Sequence, residues 1–142
     1  MPIQSLNSPA VQAAHNVTKA NALAQRANDV LANEVVKRPD RLAGFAALPM
    51  QDPEAAAEEM KRCIIDLGFV GVNVNGFSQR ENQNSLDYND VPDFRPIWVV
   101  VEELEIPFYL HPRIPLTDQM PFFDGHPWFT NLRWRRPCMH CG

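Results

Sequence analysis

The chain reads as an α/β fold with parallel strands, and three observations carry that reading. Short continuous apolar runs alternate with helical patterns, and each crossover between runs is long enough to hold a helix. The last run, Phe108-Tyr109-Leu110-His111-Pro112-Arg113, delivers a histidine at its C-terminal end and is then stopped by proline. Parallel strands require crossovers of this kind, and the crossovers are right-handed. A doubly wound sheet and a segment of a (β/α)8 barrel both satisfy the order.

Each element follows from local chemistry. Ile3 to Asn7 has the length of a short first strand. From Val17 to Lys37, Ala20, Leu23, Ala24, Ala27, Val30, Leu31 and Val35 recur at three- and four-residue steps, which predicts an amphipathic helix. Asn16 is its N-cap, and Lys37-Arg38 before Pro39 places cations at the negative end of the dipole and then a stop. Leu42 to Leu48 is an unbroken apolar run, as expected of a strand covered on both faces. Asp52-Pro53-Glu54 then supplies a cap, a proline at the first helical position and an acid in the first turn.

The helix so opened turns Ala57, Met60, Cys63, Ile64 and Leu67 to one face and ends at Gly68. Phe69 to Val74 is the next buried strand, broken by Asn75-Gly76. A long polar loop from Ser78 to about Asp90 leads to a helix over Phe94 to Leu104, and Ile106 to Leu110 forms the last buried strand. Beyond Trp128 neither period persists.

Composition excludes several function classes. Thirteen Lys+Arg against seventeen Asp+Glu is mildly acidic and speaks against a phosphate-backbone binder, so no nucleic-acid partner is expected. No apolar window spans a membrane and Met1 to Ser5 has no signal-peptide pattern, so a cytoplasmic chain with no membrane partner is expected. Cys63, Cys138 and Cys141 are not a disulfide framework. Without a secretory signal, Asn16-Val17-Thr18 is not read as a glycosylation site. A nucleotide-binding glycine loop and a nucleophile elbow are both absent from the sequence.

The candidate site residues lie where strands end. Ligands and metals collect outside the carboxyl ends of parallel strands, so His111 is the leading candidate for metal binding. Its ordinary alternative is a histidine hydrogen-bonded at a strand end. Asn75 closes the preceding strand and is expected at the same edge, although Asn-Gly is also common turn chemistry. Asn7 follows the first strand in the same way, and His126 sits in the aromatic loop Asp124 to Trp128. His15 reads as a solvated residue, and Cys138-Met139-His140-Cys141 lacks the second ligand pair of a zinc site. A catalytic zinc-type site needs about three protein ligands, and His111 has no convincing partner in the sequence.

Several phrases together narrow the reading: Ser5-Leu6-Asn7-Ser8-Pro9, Arg26-Ala27-Asn28-Asp29-Val30-Leu31, Phe45-Ala46-Ala47-Leu48-Pro49, Val74-Asn75-Gly76-Phe77, Phe108-Tyr109-Leu110-His111-Pro112-Arg113 and Asp124-Gly125-His126-Pro127-Trp128. The chain resembles the amidohydrolase-related decarboxylases of the 2,3-dihydroxybenzoate and γ-resorcylate (2,6-dihydroxybenzoate) type, from about Ile3 to Trp128. The resemblance implies a partial (β/α)8 TIM barrel of the metal-dependent amidohydrolase superfamily, with about the second to fifth strands present. It implies a fragment of a non-oxidative aromatic acid decarboxylase, with His111 as a ligand to zinc or manganese and Asn75 as a substrate contact. The implied substrate is a small aromatic carboxylic acid, and the complete enzyme is expected to be a homo-oligomer.

The family's remaining metal ligands have no counterparts here, so the chain alone is expected to bind the ion weakly and to be inactive. The alternatives are a non-catalytic half-barrel serving as a binding or assembly module, and a metal-dependent hydrolase of the same superfamily. Residues 1–130 are read as the partial barrel and 131–142 as an aberrant tail, expected to arise from a misread frame, a retained intron or an early stop.

Overall fold

The computed structural model describes residues 1–8, 10–80, 86–113 and 121. Met1–His111 form one compact unit, and Pro112–Gly142 form a second, of which only Pro112, Arg113 and Pro121 are described. His126 and the Cys138–Cys141 tail lie outside the described residues.

Four parallel strands make the sheet of the first unit: β1 (Ile3–Gln4), β2 (Ala43–Ala47), β3 (Gly71–Asn75) and, after the short strands β4 (Phe77–Ser78) and β5 (Asp87–Tyr88), β6 (Phe108–His111), in the spatial order β1-β2-β3-β6. The crossovers carry α1 (Val17–Lys37), α2 (Pro53–Ile65) and α3 (Arg95–Leu104). Caps fix the first two helices where the sequence places them. Asn16 Oδ1 accepts from the Lys19 N–H at 2.9 Å, and Asp52 Oδ1 accepts from the Ala55 N–H at 3.1 Å. Gly68, at φ +69°, takes the left-handed conformation that lets the chain turn back toward the sheet after α2.

The core lies between the sheet and α2 and α3. Ala46, Leu48, Val72 and Val74 turn toward Met60, Cys63, Phe94, Ile97 and Val100, all of them buried. The alternate residues of the strands, Phe45, Ala47, Gly71, Asn73, Asn75, Tyr109 and His111, therefore face the other way. Glycine at 71 is a packing requirement, because a Cβ there would stand 2.7 Å from the Pro107 carbonyl and 2.8 Å from the Phe45 ring.

Three expectations need correction. Phe108 to Leu110 is not a fully buried run: Tyr109 is 52% and Leu110 55% exposed, because among the described residues β6 has a neighbour, β3, on one side only. The helical stripe of α1 is narrower than its apolar residues suggest. Ala20, Ala24, Asn28 and Ala32 are buried, whereas Leu23 and Val30 are largely exposed and, with Leu6, Leu42 and Phe45, line an open hollow of about 560 Å³ beside β1. The stretch after Asn75 is not simply a polar loop, since β4 (Phe77–Ser78) and β5 (Asp87–Tyr88) pair antiparallel within it.

A buried polar network joins α1 to α2 and to the edge of β2. Asn28 accepts from the Ala47 N–H at 2.9 Å and donates to the Ala47 carbonyl at 2.9 Å and to Glu59 at 2.7 Å. Arg62 holds the same carboxylate at 2.8 Å and reaches Asp29 at 2.8 Å. The Cys63 thiol donates to Glu59 at 3.4 Å, and burial, reinforced by the Glu59 charge, pushes its pKa well above the ordinary thiol value. With Cys138→Ser and Cys141→Ser removing the other thiols, Cys63 is expected to react with a disulfide reagent only as the chain unfolds. Labelling that stays fast and does not rise across a urea titration would contradict this packing.

Candidate active site

Side-by-side registry of β3 and β6 brings the two leading candidates together. Asn75 is the register partner of His111, and the Gly76 N–H donates to the His111 carbonyl at 3.0 Å, so both residues end their strands at one edge of the sheet. The Tyr109 ring lies 6.2 Å from that of His111 on the same face. Pro112 follows His111 at once and has no N–H to continue the ladder.

Asn75 does not simply project into open space. It is 2% exposed, and its backbone and side-chain N–H groups donate to Gln12 Oε1 at 2.6 and 3.0 Å. Its carbonyl accepts from Gln12 Nε2 and from Asn89 Nδ2, each at 3.1 Å. Gln12 comes from a 3-10 turn, Ala10–Ala13, that follows β1, so the carboxyl ends of β1 and β3 are tied together by one side chain. Asn7 is not part of this arrangement: it is exposed, and its Oδ1 accepts from the Ser8 N–H in a local turn. His15 is exposed, as expected.

Sequence reasoning missed Gln12 and Asn73. Asn73 shares the face of Asn75 one step back along the strand, and its Nδ2 donates to the Leu6 carbonyl at 3.3 Å. The period of two along β3 carried a signal for Asn73, because a strand read as apolar on both faces has asparagines at alternate positions. Gln12 offered no such signal.

A sheet of parallel βα units with polar groups gathered at its carboxyl edge is the architecture of barrel enzymes that act at that face. The chain belongs to the amidohydrolase family, whose model matches residues 4–140. It is 57% identical over 132 residues to the γ-resorcylate decarboxylase of Rhizobium sp. (strain MTP-10005), covering 93% of this chain and 40% of that protein. The γ-resorcylate decarboxylase of Rhodococcus jostii (strain RHA1) is 55% identical over 135 residues, with 93% and 41% covered.

Among solved structures, 2,6-dihydroxybenzoate decarboxylase from Rhizobium superposes with a TM-score of 0.82 at 59% identity, over 89% of this chain and 39% of that one. A dihydroxybenzoic acid decarboxylase from Polaromonas sp. JS666, solved with manganese and the inhibitor 2-nitroresorcinol, gives 0.81 at 55% identity, over 89% and 38%. The chain therefore spans about two fifths of the length of the curated relatives it matches. Its four parallel strands are consecutive strands of a (β/α)8 barrel, of which they make only a part.

Proposed function

We propose that this chain is part of a metal-dependent, non-oxidative decarboxylase acting on a dihydroxybenzoate-type acid, with His111 as a metal ligand and Asn75 as a substrate contact. The observation that carries the proposal is the adjacency of Asn75 and His111 at the carboxyl edge of a sheet that is more than half identical in sequence to γ-resorcylate decarboxylases. Manganese in the Polaromonas relative supports a divalent ion, zinc or manganese, as the cofactor.

Such an ion, when bound, withdraws electron density from the oxygens of a phenol and a carboxylate. His111 suits it as a borderline imidazole donor held at a strand end whose carbonyl is anchored by Gly76. Among the described residues no three His, Cys, Asp or Glu side chains converge, so His111 supplies one ligand and these residues do not make the site alone. Asn75, fixed by its bonds to Gln12, orients the aromatic acid rather than exchanging protons with it.

The same reading makes the partner a small aromatic carboxylic acid, with no nucleic-acid or membrane partner, in a cytoplasmic homo-oligomer. Among the described residues no helix is long and apolar enough to cross a membrane.

A chimera tests the proposal. Residues 3–128 of this chain would replace the matching segment of the Rhizobium sp. decarboxylase, and carbon dioxide release from 2,6-dihydroxybenzoate would be followed with added manganese. The folded chimera is expected to turn over, and His111→Ala within it to lower the rate by about a hundredfold or more. A folded but inactive chimera would favour the non-catalytic module, and an equally active His111→Ala would remove His111 from the metal site.

A further inference from the structure

The Gln12 carboxamide makes five contacts across the carboxyl ends of β1 and β3, and their donor and acceptor sense is unambiguous. Its Nε2 faces the Asn75 carbonyl at 3.1 Å, the Phe77 carbonyl at 3.3 Å and Ser78 Oγ at 2.9 Å. Two of these acceptors are backbone carbonyls, which cannot donate, so a flipped amide would set oxygen against oxygen in a buried space. Oε1 therefore faces Asn75, where the backbone N–H at 2.6 Å can only donate. It follows that the end of the Asn75 amide facing Gln12, at 3.0 Å, is its nitrogen.

We infer that Gln12 is a positioning residue that sets the polarity of Asn75, holding its amide nitrogen toward Gln12 and turning its oxygen the other way. Turned from Gln12, the Asn75 oxygen is the acceptor this side chain would offer to a donor such as a protonated phenolic hydroxyl. This inference rests on the reading that Asn75 contacts substrate. Gln12 is 2% exposed and 63 residues distant from Asn75 in sequence, so the clamp is a tertiary device and not a local turn.

Solution NMR tests the clamp on the ¹⁵N-labelled 142-residue chain. The Asn75 side-chain amide, assigned by its loss in Asn75→Leu, is expected to exchange with solvent about tenfold more slowly than that of exposed Asn33. Gln12→Met is expected to abolish the difference, while Gln12→Glu, which keeps an acceptor in place, retains part of it. A general loss of packing would not distinguish those two variants. If Gln12→Met does not fold, the unmodified chain still decides, because exchange of Asn75 at the Asn33 rate overturns the clamp.

The second arm adds to the ¹⁵N-labelled chimera, in which the rest of the barrel is present, resorcinol, which carries two hydroxyl donors, or 1,3-dimethoxybenzene, which carries none. A shift of the Asn75 amide signal with resorcinol only is expected, and a shift with the dimethoxy compound only would overturn the assigned polarity. Intact protection with no shift from either compound would overturn the substrate contact of Asn75 and leave the Gln12 clamp standing.

Discussion

Gly71→Ala is expected to destabilise the chain by about 3 kcal/mol or more, a large share of the roughly 5–15 kcal/mol that holds an ordinary domain together. The added Cβ would lie 2.7 Å from the Pro107 carbonyl oxygen and 2.8 Å from the Phe45 ring. The first is backbone, tied by the 3.0 Å bond from the Val72 N–H to that same oxygen, so relief requires β3 and β6 to part at the start of their pairing. Gly44→Ala is the matched control. The atoms nearest its Cβ belong to the Phe69 side chain, at 2.8 Å, and a ring can swing where a strand cannot. Urea denaturation of both variants checks the prediction, and a Gly71→Ala midpoint equal to or above that of Gly44→Ala would refute it.

Asn28→Leu is expected to cost on the order of 3 kcal/mol, through unmade bonds and not through lost volume. The carboxamide satisfies both the N–H and the carbonyl of Ala47 and donates to Glu59, and every partner is buried. Leucine fills a similar space but leaves two backbone groups unpaired and weakens the support of a carboxylate that otherwise relies on Arg62 and Cys63. Asn28→Asp keeps one acceptor and places a second carboxylate beside Glu59, so it should be at least as damaging near neutral pH. Thermal melts of the variants decide. An Asn28→Leu chain as stable as the parent would mean that Ala47 finds other partners.

Much of the fold was legible because strong local signals coincide with element ends. The bounds of α1 follow from Asn16 and from Lys37-Arg38-Pro39, and the start of α2 follows from Asp52-Pro53. The shared edge of Asn75 and His111 followed from parallel order alone, since consecutive parallel strands end on the same side. What escaped was either too short or too distant to leave a pattern. The β4–β5 pair has two residues per strand, fewer than one period of alternation can register. Gln12 meets Asn75 across 63 residues, and no spacing rule reaches that far.

Asn28 is an intermediate case. A polar residue on the same helical stripe as Ala20, Ala24 and Ala32 was a visible exception to the pattern, and its reason is a backbone edge that only the tertiary structure supplies.

That exception bears on how the chain avoids pairing with the wrong strand. β1 covers β2 only at Ala43 and Gly44, after which it leaves the edge, and a half-covered strand is a template for any extended segment that passes. The Asn28 side chain presents to Ala47 what another strand would present, one acceptor and one donor at 2.9 Å each, and so occupies the place an intruder would need. A helix thereby guards the edge of a sheet. Removing the carboxamide exposes not just a weaker fold but a sticky one, in which the vacated position at Ala47 can recruit β1 in a shifted register or a strand from a neighbouring molecule.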